Sequence, residues 1–481
     1  MIATIKRLEK IALLLEPDAV YRSQTIEKVI SYSENFLENI DNLPSYKFTE
    51  HKGIGIYNSP IQDETGNLEE LLQSLKENVD TPGLNPASKG HLGFIPGGGI
   101  FHSALGDYLA AITNRYAGVF FASPGAVHME NMLLQWMASI IGYPVTSGGN
   151  LTSGGSIANL IGIVTARDAF HIKAKDLEKT VIYLSEQGHH SIDKAIRIAG
   201  LNECIKRYVP LDDRYRINAQ ELENTICSDR KTGLNPWLIV ASAGTTDVGA
   251  VDPLMEIGAI AETYNLWFHV DAAYGGFFML CDSGKAVLQG LDKSDSIVMD
   301  PHKGLFIPYG SGAVLVKNKM QLLESHHYQA NYMQDASTSS DELSPGDLSP
   351  ELSKHFRGLR LWLPLKLIGL APFSAALEEK IQLARYFYEK LKEIEGIELG
   401  PYPELSVVTF RYIPRSGDAN DINKKLVNEI QQDGKVFLSS TMLDGNFTIR
   451  LAVLSFRTHL DTIDLTLDIL KGKIEKLKTT N

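Results

Sequence analysis

The stretch that decides the fold runs Leu266-Trp267-Phe268-His269-Val270-Asp271-Ala272-Ala273-Tyr274-Gly275-Gly276. Its apolar half predicts a buried strand that delivers the carboxylate of Asp271 to the strand end. A buried carboxylate is costly unless it meets a cation, and the protonated nitrogen of a pyridine ring is one such partner. The small residues that follow would let a flat ring approach closely. A simple helix-capping role for Asp271 explains this local sequence equally well.

A second apolar run, residues 296–299, leads into Asp300-Pro301-His302-Lys303-Gly304. A lysine with a lowered pKa can attack an aldehyde, and a Schiff base is the expected product. A lone lysine after a strand is far more often a solvated surface charge. Lys303 therefore becomes informative only together with Asp271.

These two segments belong to a repeated pattern in the middle of the chain. Short apolar runs end in polar or glycine-rich residues, and helical periodicity separates several of them. This pattern predicts an α/β fold with a mostly parallel sheet, in which ligands bind beyond the carboxyl ends of the strands. The runs are Val181–Leu184, Trp237–Ala241, Leu266–Val270, Ser296–Met299 and Gly312–Val316.

A glycine- and hydroxyl-rich segment, residues 148–156, precedes a predicted helix at Ile157–Arg167. The free N–H groups and the positive end of the helix dipole would hold a phosphate there. A glycine-rich turn without a ligand is the alternative. No GxxxxGK[ST] motif or correctly placed GxGxxG occurs, which argues against nucleotide binding.

Two further strand ends carry polar side chains. The first ends in Glu186-Gln187-Gly188-His189-His190-Ser191, and an imidazole there could stack on a planar cofactor and exchange protons near pH 7. The second ends in Ser242-Ala243-Gly244-Thr245-Thr246. The paired histidines could ligate a metal, but HExxH and Cys/His clusters are absent from the sequence, so we predict no metal site.

Composition narrows the possible partners. The chain has 481 residues, 44% hydrophobic and 22% charged, which is typical of globular proteins with more than one domain. A net charge of −12 disfavours nucleic acid and anionic membranes, so we expect a small-molecule partner. Three widely spaced cysteines and the charged, short N-terminal apolar stretch predict a cytoplasmic protein without a signal peptide or a membrane span.

The chain divides into three predicted regions. Residues 1–85 form an N-terminal helical segment with amphipathic helices at Tyr21–Ile40 and Leu68–Val79, which pack either on their own chain or on a partner subunit. Residues 86–355 form the large α/β domain, in which the polar segment 329–351 is a lid or a disordered loop. Residues 356–481 form a small α+β domain.

The sequence resembles the group II pyridoxal-phosphate-dependent decarboxylases, which include aromatic L-amino acid, glutamate and diaminobutyrate decarboxylases. The resemblance covers essentially the whole chain. It implies fold type I, with a seven-stranded, mostly parallel sheet in the large domain, and a homodimer with its active site at the subunit interface. It is carried by His269–Gly276 and Asp300–Lys303, and it is supported by Glu186–Ser191 and Gly244–Thr246.

The resemblance also implies a role for each site residue. Lys303 would hold pyridoxal 5′-phosphate as a Schiff base, Asp271 would pair with its pyridine nitrogen, and His189 would stack on its ring. Tyr332 would return a proton to the substrate carbon after carbon dioxide has left. The remaining cofactor contacts would be Gly155, Ser156, Thr246, Ala273, Asp300 and His302, and the substrate contacts would be Phe94, Ile95, Pro96 and Thr246.

Two departures from the family bear on these expectations. Asparagine is common where Asp300 stands, and a carboxylate facing a phosphate would be repulsive. The segment 90–99 lacks the aromatic cluster of well-known aromatic decarboxylases.

The expected reaction is decarboxylation of an amino acid to its amine, with an aromatic or bulky substrate. An acidic or diamino substrate is the alternative. A decarboxylating aldehyde synthase, an aminotransferase and a non-catalytic α/β binding protein also stay open.

Overall fold

The computed structural model describes residues 1–328 and 343–480. Their strands are β1 (Tyr46–Lys47), β2 (Gly83–Leu84), β3 (His91–Leu92), β4 (Gly148–Thr152), β5 (Thr180–Leu184), β6 (Ile205–Tyr208), β7 (Asn235–Ser242), β8 (Trp267–Asp271), β9 (Ser296–Met299), β10 (Gly312–Val316), β11 (Ile397–Leu399), β12 (Val407–Tyr412), β13 (Phe437–Leu443) and β14 (Asn446–Ala452).

The helices surround three sheets. They are α1 (Ile2–Ala12), α2 (Ala19–Glu38), α3 (Ile54–Tyr57), α4 (Leu68–Leu75), α5 (Phe101–Thr113), α6 (Pro124–Ile141), α7 (Gly155–Ala169), α8 (Ser191–Ile198), α9 (Ala219–Lys231), α10 (Leu254–Thr263), α11 (Asp282–Val287), α12 (Pro301–Gly304), α13 (Lys319–His326), α14 (Gly358–Ile368), α15 (Ala371–Leu391), α16 (Ala419–Asp433) and α17 (Leu460–Thr480).

The central sheet has seven strands in the order β4-β10-β9-β8-β7-β5-β6. The five strands from β9 to β6 are parallel, whereas β10 runs antiparallel to both of its neighbours. The connection from β9 to β10 holds only the single-turn helix α12, so it provides no long helical crossover of the kind that parallel strands need. The predicted α/β fold with a mostly parallel seven-stranded sheet is confirmed.

Alternate residues of the central strands pack into cores on opposite faces of the sheet. Phe268 and Val270 belong to one core, while Trp267 belongs to the other, which also contains residues of α7 and α8. By this alternation His269 and Asp271 share the α7 face with Trp267. The strand therefore aims its polar side chains toward α7.

The C-terminal sheet has the order β11-β12-β14-β13-β3 and packs against α15, α16 and α17. Its last strand, β3, comes from far upstream in the chain and runs parallel to β13. Residues 91–92, which the sequence assigns to the large domain, thus join the C-terminal sheet. The exact domain limits stay a prediction.

The N-terminal helices are largely exposed. The predicted helix at Tyr21–Ile40 corresponds to α2, while α4 ends at Leu75 because the chain continues as a π-type turn, Lys76–Asp80. No residue of α1 is buried. In residues 1–328 and 343–480 no single helix is long and apolar enough to cross a membrane, although α14 and α15 together reach such a length and composition across a 95° bend.

Candidate active site

Four neighbouring strands end at one cavity of about 360 Å³. Asp271 is the last residue of β8, and His189, Thr246 and Lys303 come shortly after the ends of β5, β7 and β9. All four residues line the cavity. The parallel pairing of β8 with β9 places Asp271 opposite Val298, one residue before the end of β9. The structure therefore brings Asp271 and Lys303 together from adjacent strand ends, as predicted.

Asp271 is held by neutral hydrogen-bond donors. Its side chain accepts at Oδ1 from the backbone N–H of Ala273, at 3.1 Å, and at Oδ2 from the amide of Asn159, at 2.9 Å. The residue is only 8% exposed. Because neither donor carries a charge, the negative charge of the carboxylate is left for a cation in the cavity.

Lys303 lies on the one-turn helix α12 with Asp300 as its near anion. The Lys303 Nζ to Asp300 Oδ2 distance is 3.4 Å, and His302 Nε2 lies 3.7 Å from the same oxygen. Asp300 is 1% exposed, and its Oδ1 has no hydrogen-bond partner among the described residues. A buried acceptor of this kind is one for which a bound group can supply a donor.

The ring of His189 is fixed through Nδ1. This nitrogen accepts from the backbone N–H of Ser191, at 3.2 Å, and lies 2.7 Å from the Ser191 hydroxyl. Burial lowers the pKa of His189 below its ordinary value, and the nearby Asp271 opposes that shift. The ring is thus favoured in its neutral form, which can lie flat against another ring system.

The start of α7 forms a glycine-lined cradle. Gly154 has φ of +150°, which L side chains rarely adopt, and a Cβ at Gly155 would lie 2.9 Å from Asp300 Oδ2. The first N–H groups of a helix have no partner within it, so those of Gly155 and Ser156 are available to an anion. The cradle fits a phosphate group, apart from the carboxylate of Asp300 beside it.

A second cavity, of about 300 Å³, shares the lining residues His302 and Tyr309 with the first. It is mostly apolar, and we call it the apolar annex. Its other lining residues are Phe36, Val79, Asp80, Leu84, Asn85, Pro86, Ala87, Gly98, Gly99, Ile307 and Pro308.

The predicted substrate residues Phe94, Ile95 and Pro96 line neither cavity of this chain. Phe94 is 57% exposed and turns away through a left-handed backbone conformation, with φ of +54°. Gly98 and Gly99 reach the annex instead. Ile95 and Pro96 are buried, so only Phe94 is open to a contact at the surface of the chain, and the substrate role of residues 94–96 stays a prediction.

The sequence analysis missed Asn159 and Arg450. Asn159 contacts Asp271, and Arg450 of β14 donates to the backbone carbonyls of Thr246 and Asp247. The sequence feature that could have indicated Arg450 is a charged residue within an otherwise apolar strand pattern. Tyr332 lies outside the described residues.

Together these groups fit pyridoxal 5′-phosphate. They offer an amine for its aldehyde, a carboxylate for its ring nitrogen, an imidazole for its ring face and a cradle for its phosphate. Across residues 1–328 and 343–480, no three His, Cys, Asp or Glu side chains cluster as a metal site would require.

Known proteins match this chain over most of its length. Residues 53–413 match the family described as "Pyridoxal-dependent decarboxylase conserved domain". An aromatic-L-amino-acid decarboxylase of Bacillus atrophaeus is 35% identical, over 83% of this chain and 84% of that protein. A phenylacetaldehyde synthase of Petunia hybrida is 28% identical, over 96% of each.

A solved structure agrees with the fold. The crystal structure of Oryza sativa TDC with PLP and tryptamine superposes with a TM-score of 0.90 at 24% identity, over 96% of this chain and 99% of that one. The predicted family and cofactor are confirmed. This chain belongs to the pyridoxal-dependent decarboxylase family and is a pyridoxal-phosphate-dependent amino acid decarboxylase.

Proposed function

We propose that this enzyme converts an aromatic or similarly bulky L-amino acid to its amine and carbon dioxide. The observation that carries the proposal is that His302 and Tyr309 line both the charged cavity and a second, apolar one. The first cavity holds the charged groups that the chemistry needs. The apolar annex beside it suits a large apolar side chain.

Each residue at the strand ends has a defined task in this proposal. Lys303 supplies the amine that holds the cofactor, Asp271 keeps a positive charge on the pyridine nitrogen, and His189 covers the ring. Ala273 is small enough to let the ring approach. Bound pyridoxal phosphate supplies the electron sink for the electrons released when carbon dioxide leaves.

The remaining residues hold the two ends of the bound molecules. Gly155 and Ser156 present backbone N–H groups to the phosphate, and Thr246 orients the substrate carboxylate. His302 Nδ1–H donates to the carbonyl of Ser311, which fixes this ring where it lines both cavities. Asp300 acts on Lys303 rather than as a phosphate ligand, because its carboxylate would repel the phosphate.

The residues that line the annex also discriminate between the candidate substrate classes. The described residues that line it include Asp80, whose carboxylate accepts from the Tyr32 hydroxyl, and no lysine or arginine. An acidic side chain would meet repulsion, so a glutamate-type substrate is disfavoured. A diamino acid could pair with Asp80 and is the second candidate. The name of the Bacillus relative supports the aromatic choice.

The product is proposed to be the amine. The proposed proton donor is Tyr332, which lies outside the described residues, so this part rests on the sequence. The Petunia relative is named as an aldehyde synthase, which makes product analysis necessary. Amine with equimolar carbon dioxide supports the proposal, aldehyde with ammonia contradicts it, and a 2-oxo acid would indicate transamination.

We further propose that the enzyme works as a homodimer in the cytoplasm. The apolar residues Ile5 and Leu8 of α1 and Phe101 and Tyr108 of α5 are exposed in the single chain. A second copy would cover such surfaces and would bring its own residues near the active site. Three free cysteines are consistent with a reducing compartment.

The Lys303→Ala variant tests the assignment of the lysine. We expect it to lose the covalent cofactor, seen as loss of the absorbance that survives gel filtration, and to lose decarboxylation of aromatic amino acids. Lys319→Ala, a change at the start of α13 outside both cavities, is the control. A Lys303→Ala protein with full turnover would refute the proposal. A colourless wild-type protein that ignores added pyridoxal phosphate would favour the binding-protein alternative.

A further inference from the structure

Asn159 joins the two residues proposed to contact the cofactor ring. It lies on α7 and is 1% exposed. Its amide nitrogen donates to Asp271 Oδ2 at 2.9 Å and to the Ser191 hydroxyl at 3.0 Å. Its amide oxygen lies 2.9 Å from His269 Nε2. One buried side chain therefore connects two residues of β8 with the first residue of α8.

The orientation of this amide is consistent with the residues on β8 and β9. The indole N–H of Trp267 can only donate, and it donates to the Ser296 hydroxyl at 2.8 Å. The hydroxyl hydrogen of Ser296 is then available for His269 Nδ1, 2.7 Å away. Burial lowers the pKa of His269 to about 4, so the ring is neutral and carries a hydrogen on only one of its nitrogens.

The carboxylate of Asp271 decides which way Asn159 faces. A carboxylate only accepts, so the NH₂ group of Asn159 points to Asp271 and Ser191, and its oxygen faces His269. The opposite rotation would set two acceptors against each other at Asp271. His269 Nε2–H therefore donates to the Asn159 oxygen, and His269 Nδ1 accepts from the Ser296 hydroxyl.

The same direction continues to His189. Ser191 Oγ accepts from Asn159, so its hydrogen is available for His189 Nδ1 at 2.7 Å. The ring hydrogen of neutral His189 is then on Nε2. Asn159 is thus connected to both the carboxylate and the imidazole of the site, and it brings no charge of its own.

We infer that Asn159 is a positioning residue, which aims Asp271 at the cofactor's ring nitrogen, whereas the tautomer of His189 is already set by the backbone N–H of Ser191. This inference deepens the proposed function and rests on it. A neutral donor holds the carboxylate in one orientation and leaves its negative charge intact. A lysine or arginine at this position would cancel that charge. The effect should therefore depend on the ring nitrogen and not on the rest of the cofactor.

The test compares two cofactors on the full-length chain. Protein freed of cofactor is titrated with pyridoxal phosphate and with its 1-deaza analogue, in which a C–H group replaces the ring nitrogen. Wild type should prefer pyridoxal phosphate. Asn159→Leu should lower that preference by about 10- to 100-fold, because it removes one hydrogen bond to a charged group. Asn159→Ser also removes the amide donor but keeps a polar side chain. It replaces the leucine variant in this titration if Asn159→Leu unfolds at too low a temperature.

Two controls separate positioning from general damage. Asn423→Leu removes another fully buried asparagine, which bonds Tyr412 and Ala419 in the C-terminal unit; it should melt earlier and keep the wild-type preference. Ser191→Ala interrupts only the branch to His189 and should also keep the preference.

An Asn159 variant with the wild-type preference overturns the inference while leaving the proposed function intact. A wild type that binds both cofactors equally refutes the pairing of Asp271 with the ring nitrogen, and the inference fails with it.

Discussion

Asp300 brings a negative charge to a site that has to hold an anion. Its carboxylate is buried, lies 3.4 Å from Lys303 Nζ and would touch a Cβ placed at Gly155. Asp300→Asn keeps the shape and removes the charge. We expect it to bind pyridoxal phosphate about 10-fold more tightly, because it removes a like charge beside the phosphate, and a tenfold change in affinity corresponds to about 1.4 kcal/mol. Equilibrium titration of the cofactor-free protein measures this.

The control for this prediction is Asp212→Asn, which changes the same group in an ion pair with Arg216 outside both cavities. Its cofactor affinity should equal that of wild type. If Asp300→Asn instead weakens binding, the carboxylate is needed to hold the Lys303 amine, and the repulsion argument is wrong.

Residue patterns in the sequence revealed only part of this site. Asp271 and Lys303 could be predicted because the first ends an apolar strand and the second comes four residues after one, so their position is encoded within a few residues. Asn159 and Arg450 could not be predicted in this way. Asn159 lies on a helix, 112 residues before Asp271, and Arg450 lies in a different sheet, 204 residues after Thr246. Their roles depend on packing between elements, which local periodicity does not describe.

At the scale of elements, the join between β3 and β13 carries a buried histidine. His91 is 1% exposed and packs edge-on against Phe94 and Phe437, at ring-centroid distances of 6.4 and 6.0 Å. Burial lowers the pKa of His91 to about 4. The unfolded chain binds this proton more readily between pH 6.5 and 4, so stability is lost as the pH falls through that range.

His91→Phe should therefore reduce the decrease in the free energy of unfolding that occurs as the pH falls from 7 to 4. Protonation of His91 should account for a loss on the order of 3 kcal/mol in the free energy of unfolding between pH 7 and pH 4. Urea unfolding at pH 7, 5 and 4 measures it, with the exposed His51→Phe as the control. Buried His269 should preserve part of the acid sensitivity. Equal acid sensitivity in wild type and His91→Phe would contradict the prediction.

A buried ion pair ties α6 to the segment before α14. Lys354 Nζ lies 2.7 Å from Glu130 Oε2 and 3.0 Å from Asn150 Oδ1, and both charged side chains are at most 1% exposed. Glu130 Oε1 accepts from the backbone N–H of Gly358. Lys354→Met should cost about 3–5 kcal/mol of unfolding free energy, because it leaves a buried charge without its partner.

The double variant Glu130→Gln with Lys354→Met should recover part of that loss, since no charge is then buried alone. Lys390→Met, which removes one partner of an exposed pair with Glu393, should leave the unfolding midpoint unchanged. A Lys354→Met protein as stable as wild type would show that Glu130 is solvated or protonated instead.

The elements themselves were predicted more completely than their connections. The runs at Ser296–Met299 and Gly312–Val316 match β9 and β10 residue for residue. The sequence predicts a phosphate cradle or a glycine-rich turn at residues 148–156, yet residues 148–152 form edge strand β4. Its glycines suit that position, because a Cβ at Gly149 would lie only 2.2 Å from the carbonyl of Val314. Close backbone approach favours glycine in this strand, and glycine is normally a sign of a turn.

At the scale of the molecule, the three predicted regions are interleaved. Strand β3 joins the C-terminal sheet from a segment upstream of the central sheet, and Arg450 reaches back from that sheet to the loop at Thr246. Sequence analysis places domain boundaries where the amino-acid composition or the hydrophobic periodicity of the chain changes. They do not predict a strand that is only two residues long.

The last prediction concerns assembly. Helix α1 exposes Ile5, Leu8 and Ile11, each more than half exposed. Burying one such side chain against a second copy contributes about 1.5–3 kcal/mol. The double variant Ile5→Glu with Leu8→Glu should therefore raise the dimer dissociation constant by at least about 100-fold, which sedimentation velocity measures. Lys6→Glu changes the net charge by the same two units and should sediment as wild type. If the active site lies at the subunit interface, the double variant should also lose specific activity on dilution, whereas a monomer with full activity would place the complete site within one chain.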